Sequence, residues 1–254
     1  MLKKRVIFTL LYDNASFMLS RNFRLQKVGD IQWLNKNYDF SHITFSIDEL
    51  IILDVTRGTR NEGLFQDHVK SLTRECFVPI AAGGGIRTLD QAQRLLRSGA
   101  DKLVLNSTMH EDINLVKELV KIYGSQSIVA SIDYKVVDSI KKIFINNGTE
   151  ELDVGFSEYL QYVDSLNIGE IYLNSIDMDG TGFGYDLDTI KTINNLFVPI
   201  IVAGGAGNGE HFEDVLKLDN VSAVATANLF NFIGDGLLKA RKKLIEKKFN
   251  LAVW

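Results

Sequence analysis

The sequence has little of what secreted, membrane-spanning or metal-binding proteins need. Cys76 is the only cysteine, which excludes an internal disulfide and favours an intracellular, cytoplasmic protein. The apolar run after Met1–Arg5 ends at Asp13, so it is too short for a membrane span, and no signal peptide is recognised. The histidines are scattered without ligand spacing and predict no metal site; they are His42, His68, His110 and His211.

Two further absences argue against particular kinds of ligand. A net charge of −4 without a basic cluster argues against a nucleic-acid partner. No GxGxxG motif follows a first strand, so no cofactor is expected. What is present is a chain of 254 residues, a length that allows one large domain or two small ones and that α/β barrels commonly use for one. Its composition, 46% hydrophobic and 24% charged, is typical of a soluble protein with a sizeable core.

Eight short apolar segments alternate with amphipathic ones such as Leu89–Ser98 and Leu115–Tyr123. Strand and helix repeated eight times predict an all-parallel sheet covered by helices and closed into a (βα)₈ TIM barrel. An open, doubly wound sheet is the alternative. The predicted strands are Val6–Leu11, Glu49–Val55, Val78–Ala82, Lys102–Asn106, Ser127–Asp133, Glu170–Ser175, Val198–Ala203 and Val221–Ala225.

The second half of the chain repeats the first at a nearly fixed offset, which favours the closed barrel. Three matched features lie 121 positions apart, and the prolines of two Phe-Val-Pro-Ile tetrapeptides lie 120 apart. The repeat predicts a single domain, 1–254, built from half-barrels at about 1–124 and 125–254. The matched pairs are Glu49 with Glu170, Gly83-Gly84 with Gly204-Gly205, Asn106 with Ala227, and Pro79 with Pro199.

Glycine-rich turns follow two predicted strands, at Gly83–Gly85 and Gly204–Gly207. Glycine lets backbone N–H groups approach an anion, and the next helix adds the positive end of its dipole. Asn106-Ser107 and Ala227-Asn228 end the neighbouring strands and can donate further hydrogen bonds. Two equivalent turns predict a ligand with a phosphate at each end, although they could also be turns without a ligand. The acidic segment Asp177–Gly182 is predicted to be a flexible catalytic loop, with a plain turn as the alternative.

Motifs along nearly the whole chain resemble those of HisF, the cyclase subunit of imidazole glycerol phosphate synthase. They are KRVI, DELIILDVT, GGGIRTLDQAQ, GADKLVLN, GSQSIVASID, GEIYLNSIDMDGTGFGYD and VAGGAG. The resemblance implies a heterodimer with a HisH-like glutaminase docked on the N-terminal face of the barrel. Ammonia from the glutaminase would cross the barrel axis to a bisphosphorylated substrate, where aspartates at strands one and five act as general acid and base.

The resemblance assigns roles to most of the expected residues. The strand-five aspartate is Asp133. A ring of four charged residues that guards the ammonia entrance is matched by Arg5, Glu49, Lys102 and Glu170, and inward charges at strand starts are expected to pair with one another. The phosphate positions match Gly85, Asn106, Ser107, Asp179, Gly180, Gly204, Gly205, Ala227 and Asn228, the last usually a serine in the family.

The chain departs from the family at the first strand. Leu11 stands where the family has its strand-one aspartate, and Leu19 stands where the following loop has a lysine. Leucine can neither transfer a proton nor stabilise charge, so the two-carboxylate mechanism lacks one of its two proton-transfer groups. Asp13 could replace the aspartate if the strand end shifts by two residues, and it is the second catalytic candidate.

A subgroup of HisF-like proteins shares this departure. Leu10–Asn14 resembles the LLxDN start of the glycosyl amidation-associated WbuZ-type proteins, as do Glu75–Phe77 and the GGGIRTLD that follows. Such proteins accompany a HisH-like glutaminase and a sugar amidotransferase in making amidino-modified surface or flagellar sugars.

The leading hypothesis is therefore a HisF-like subunit that takes ammonia from a glutaminase and helps to amidate a sugar precursor. The second is an imidazole glycerol phosphate synthase cyclase of histidine biosynthesis that uses Asp13. The third is a non-catalytic ammonia conduit, or a scaffold that activates the glutaminase allosterically.

Overall fold

Eight strands pair in parallel and close into a barrel. The computed structural model describes residues 3–38, 40, 43–228, 230–232 and 234–252. The strands follow one another round the barrel in chain order, and the last pairs with the first, which confirms the TIM barrel and excludes the open sheet. They are β1 (Arg5–Asp13), β4 (Glu49–Asp54), β5 (Ile80–Gly83), β6 (Lys102–Leu105), β7 (Ile128–Val137), β10 (Glu170–Ser175), β11 (Ile200–Ala203) and β12 (Val221–Thr226).

Helices cover the outside of the barrel, and local capping residues begin them. Asn61 caps the helix that begins at Glu62, and Thr88 and Gln91 form a reciprocal capping box at the start of the helix that begins at Leu89. The described helices are α1 (Ile31–Asn37), α2 (Glu62–Glu75), α3 (Leu89–Arg97), α4 (Thr108–Glu111), α5 (Ile113–Tyr123), α6 (Phe156–Asp164), α7 (Leu187–Lys191), α8 (Gly209–Leu216) and α9 (Gly236–Glu246). Short 3₁₀ turns occur at Ile43–Phe45 and Ser125–Ser127.

Alternate side chains of each barrel strand enter one of two apolar layers. One layer fills the space between strands and helices, where α2 contributes Phe65, Val69 and Leu72. The other fills the barrel bore. Because both faces are buried, the strands read as continuous apolar runs in the sequence. The bore cluster consists of Ile7, Ile51, Ala81, Val104, Val129, Tyr172, Ile201, Ala203, Ala223 and Ala225.

Two antiparallel extensions lengthen the sheet beyond the barrel, and the sequence pattern did not predict them. β2 (Ser16–Arg21) and β3 (Arg24–Gly29) continue from β1, while β8 (Ile140–Ile145) and β9 (Glu150–Leu152) continue from β7. Consequently β1 runs to Asp13 and β7 to Val137, past the predicted ends. Their tight turns place paired residues at positive φ, as such hairpins require: Asn14-Ala15, Asn22-Phe23, Asp138-Ser139 and Asn146-Asn147.

Among the described residues, no helix is long and apolar enough to cross a membrane. His42, one of the histidines predicted not to bind a metal, lies outside the described residues, as do the extreme ends of the predicted domain.

Candidate functional site

Four charged side chains meet at the amino end of the bore and form a closed ring. Arg5 Nη1 lies 3.0 Å from Glu49 Oε2, and Lys102 Nζ lies 2.9 Å from the same oxygen. Lys102 Nζ also lies 2.6 Å from Glu170 Oε2, while the Arg5 guanidinium pairs with the other oxygen of Glu170. Parallel strands start at the same end of a barrel, so residues that open β1, β4, β6 and β10 come together. We call Arg5, Glu49, Lys102 and Glu170 the charged ring.

The charged ring is balanced, with two acids and two bases, and it is mostly desolvated. Burial opposes ionisation of Glu170, but Arg5 and Lys102 outweigh it and lower the pKa of that carboxyl. Burial dominates at Glu49 and raises its pKa, although Lys102 and Arg5 act in the opposite direction. Each charge therefore depends on its neighbours, and loss of one member leaves the others uncompensated.

The bore leads from the charged ring to a cavity at the carboxyl ends of the strands. Most of the lining of the bore is apolar. The hydroxyls of Thr9 and Tyr172 lie 3.3 Å apart within the bore, and both residues are buried. Tyr172 also lines the cavity beyond. The two hydroxyls thus provide polar groups between the charged ring and the cavity.

The cavity has a volume of about 420 Å³ and gathers the residues expected to bind phosphate. Asp133 and Leu11 line it as well, whereas Asp13 and the charged ring do not. Phosphate binding by these residues remains a prediction. The nine lining residues that the sequence predicted are Gly85, Asn106, Ser107, Asp179, Gly180, Gly204, Gly205, Ala227 and Asn228.

Asp133 is buried at the end of the barrel portion of β7, and two amides fix its carboxylate. Asn106 Nδ2 donates to Oδ2 over 3.1 Å, and Asn174 Nδ2 donates to Oδ1 over 3.2 Å. Burial raises the pKa of Asp133 to about 7, with Asp179 adding to the effect and Asn174 opposing it. A carboxyl with a pKa near neutrality can both accept and return a proton at physiological pH.

The strand-one candidates occupy different positions. Leu11 presents a hydrocarbon side chain to the cavity that Asp133 lines. Asp13 lies two residues further along β1, where its Oδ1 accepts a hydrogen bond from the Thr56 hydroxyl over 3.0 Å. The structure therefore does not bring Asp13 together with Asp133.

The rim of the cavity formed by the first half of the chain is rich in donors. Ser107 Oγ donates to Asn146 Oδ1 over 3.0 Å and accepts from the Asn146 backbone N–H over 3.1 Å. Gly85 has φ +71°, and a Cβ there would lie 2.9 Å from Arg60 Nη1. The positive φ therefore favours glycine at this position, and the Arg60 guanidinium packs against it.

The rim formed by the second half is closed by the β2–β3 hairpin. Asp179 Oδ2 accepts the Ser20 hydroxyl at 2.5 Å and the Phe23 backbone N–H at 3.1 Å. Asn228 Oδ1 accepts backbone N–H groups of Phe230 and Asn231, at 3.1 and 3.0 Å. These two predicted ligand residues already hold backbone and side-chain partners of the chain itself.

Several residues of the site were missed by the sequence analysis. Asn174, which holds Asp133, lies near the end of β10 in the motif EIYLNS, and its polar type at a strand end was the available signal. Arg57 and Arg60 follow β4 in the loop VTRGTR, where two basic residues after a strand could have indicated anion binding. Asn146 carried no such signal, because only the hairpin brings it to Ser107.

The fold and the site define a (βα)₈-barrel protein whose site lies at the carboxyl ends of the strands, where such barrels carry function. The family model described as histidine biosynthesis protein matches residues 28–234. The chain therefore belongs to the histidine biosynthesis protein family, and within it to the HisF proteins.

Three relatives illustrate the similarity. A protein of Parasynechococcus marenigrum, provisionally named imidazole glycerol phosphate synthase subunit hisF2, is 44% identical over 100% of this chain and 95% of its own length. Imidazole glycerol phosphate synthase subunit HisF of Sulfurisphaera tokodaii is 34% identical over 100% of both chains. The subunit of the same name from Campylobacter concisus is 35% identical over 96% of this chain and 95% of its own.

Proposed function

We propose that this chain is the barrel subunit of a glutamine-dependent synthase, which passes ammonia from a HisH-like glutaminase to a phosphorylated sugar precursor. The observation that carries the proposal is an intact charged ring at one end of the bore and, at the other, Asp133 with Leu11 in place of the strand-one aspartate. The names of the relatives support a partner subunit, because they describe subunits of a synthase.

The apolar bore favours ammonia over ammonium. Moving an ion into such surroundings without a partner costs far more than moving a neutral molecule. The hydroxyls of Thr9 and Tyr172 can exchange hydrogen bonds with ammonia on its way, since each hydroxyl both donates and accepts. Ammonia then arrives beside Asp133.

Asp133 acts as the proton acceptor when ammonia attacks the precursor. When ammonia adds to a carbonyl carbon of the precursor, the C=O π bond opens onto oxygen and the nitrogen becomes cationic. Ionised Asp133 takes a proton from the nitrogen and returns it to that oxygen. The pKa of about 7 leaves a large ionised fraction at neutral pH. Leu11 offers no second group for a paired acid and base, which separates this chemistry from the two-carboxylate cyclisation and favours the WbuZ-type, sugar-amidating role.

The second candidate function is the cyclase reaction of histidine biosynthesis, which the names of the relatives favour. It would need Asp13 to leave Thr56 and enter the cavity. A non-catalytic conduit or scaffold is the third, and it predicts that Asp133→Asn leaves the output of the full assembly unchanged.

A genetic experiment separates the first two functions. We expect the chain to fail to support growth of a histidine auxotroph that lacks HisF, while the Campylobacter concisus subunit, expressed in the same strain, restores growth. Growth supported by this chain, and lost in its Asp133→Asn variant, would refute the sugar-precursor proposal in favour of the cyclase.

A further inference from the structure

The cavity ends at Tyr172 and does not continue down the bore. Tyr172, Val104, Ala203 and Ala225 are the members of the bore cluster that line the cavity. The other members of that cluster do not line the cavity, and each is 0% exposed: Ile7, Ile51, Ala81, Val129, Ile201 and Ala223. Side chains therefore fill the bore between the cavity and the charged ring.

Two strands, β1 and β10, meet twice across the bore. Successive side chains of a strand alternate between its faces, so Glu170, Tyr172 and Asn174 share the inner face of β10. Arg5 and Thr9 share the inner face of β1 in the same way. The first meeting is the ion pair of Arg5 with Glu170 in the charged ring, and the second is the pair of hydroxyls of Thr9 and Tyr172, 3.3 Å apart. The second contact thus lies between the charged ring and the cavity.

The strand next to β1 leaves room for a large side chain at this level. Between β10 and β1 the barrel contains β11 and β12. Bulky branched residues usually fill the interior of such a barrel, whereas β12 contributes only Ala223 and Ala225 to the bore cluster as described. Tyr172, the largest member of that cluster, reaches from β10 to Thr9 on β1 and fills this space.

We propose that Tyr172 is a second gate of the bore, at the cavity end. The hydrogen bond between its hydroxyl and Thr9 holds the phenol across the bore. Ammonia, which both donates and accepts hydrogen bonds, passes by replacing Thr9 as the partner of the Tyr172 hydroxyl while the ring moves aside. Larger molecules in the cavity are excluded from the bore. The identity of the passing molecule rests on the proposed function, whereas the closure of the bore does not.

Cysteine accessibility in the isolated chain tests the gate. Val129 and Ser131 lie on the same face of β7, in register with Glu170 and Tyr172 respectively, and of the two only Ser131 lines the cavity. Val129→Cys therefore places a thiol on the charged-ring side of Tyr172, and Ser131→Cys places one on the cavity side as a matched control. The probe is methyl methanethiosulfonate, whose methylthio group forms a disulfide with a thiolate as methanesulfinate leaves. Peptide mass spectrometry measures the rate at each thiol.

We expect Ser131→Cys to react and Val129→Cys to be protected while Tyr172 is present. Combining Val129→Cys with Tyr172→Ala should bring its rate close to that of Ser131→Cys. Tyr172→Phe keeps the ring but loses the hydroxyl, and it should raise the rate at Val129→Cys about fivefold, as expected when one hydrogen bond that favours the closed position is lost. A tyrosine that only fills the barrel would protect the thiol equally well as phenylalanine.

Cys76 is the internal control, because it is buried and its modification reports general unfolding. Its rate should be the same in all variants, and Tyr172→Leu replaces Tyr172→Ala if the latter raises it. Equal rates for Val129→Cys and Ser131→Cys with Tyr172 present, or continued protection after Tyr172 is shortened, would overturn the gate. An unchanged rate in Tyr172→Phe would overturn the role of the hydroxyl pair. The labelling uses neither glutamine nor ammonia, so its failure is distinct from failure of ammonia transfer.

Discussion

Replacement of Asp133 by asparagine should make the stability of the protein less sensitive to pH. The carboxyl is 7% exposed and receives hydrogen bonds from two amides. Asparagine has nearly the same shape and keeps one acceptor oxygen, but it carries no charge at any pH. The substitution therefore removes the titration while it preserves the packing.

The direction of the effect follows from the pKa of Asp133. Burial raises it from 3.8 to about 7, so between these values the folded protein keeps a proton that the unfolded chain has released. The free energy of unfolding therefore falls as pH rises through this window and levels off above it. Each pH unit within this window lowers the free energy of unfolding by about 1.4 kcal/mol. Between pH 5 and pH 8 about two units of the window are crossed, which predicts a loss of about 3 kcal/mol from this group alone.

Urea denaturation followed by circular dichroism at pH 5 and pH 8 measures this loss. We expect the stability of Asp133→Asn relative to the wild type to increase by about 3 kcal/mol between the two conditions. Asp67→Asn, an exposed change on α2, controls for the general pH dependence of the fold. A stability difference between Asp133→Asn and the wild type that is the same at both pH values would refute the reasoning.

Two further predictions concern buried charges at the amino end of the barrel. Lys102→Met leaves Glu49 and Glu170 with Arg5 as their only partner within the charged ring, and it should lower the free energy of unfolding by about 3 kcal/mol in a urea titration. Lys142→Met, which removes an exposed ion pair, should have little effect in the same titration. Asp48→Ala removes both carboxylate oxygens that bind Arg241, at 2.7 and 2.8 Å, and Arg241 is only 2% exposed. Thermal unfolding should show that the free energy of unfolding falls by about 3–5 kcal/mol. A fall below about 1 kcal/mol would contradict the assigned role.

Much of the barrel could be predicted from the sequence, because it depends on local pattern, whereas the charged ring was predicted from the resemblance to HisF. Apolar runs identify buried parallel strands, and residues that open such strands meet at one end of the barrel. The resemblance named the four residues of the charged ring, and the position of Glu49 and Glu170 at strand starts supported their pairing with the two bases.

The rest depends on long-range geometry that no local pattern records. The β2–β3 hairpin brings Ser20 to Asp179, residues 159 positions apart, and the β7–β9 extension brings Asn146 to Ser107. The contact between Arg60 and Gly85 arises between loops of adjacent strands. Extension of β1 to Asp13, with Thr56 as its partner, likewise could not be foreseen from the run of leucines.

The most direct test of the account is turnover of the bisphosphorylated ribonucleotide substrate of imidazole glycerol phosphate synthase by the purified protein with ammonium salts. Because Leu11 stands in place of the strand-one aspartate, we expect no cyclised product above the level of the Asp133→Asn variant. Turnover comparable to that of the Campylobacter concisus subunit under the same conditions would contradict the central claim that this barrel delivers ammonia to a different acceptor.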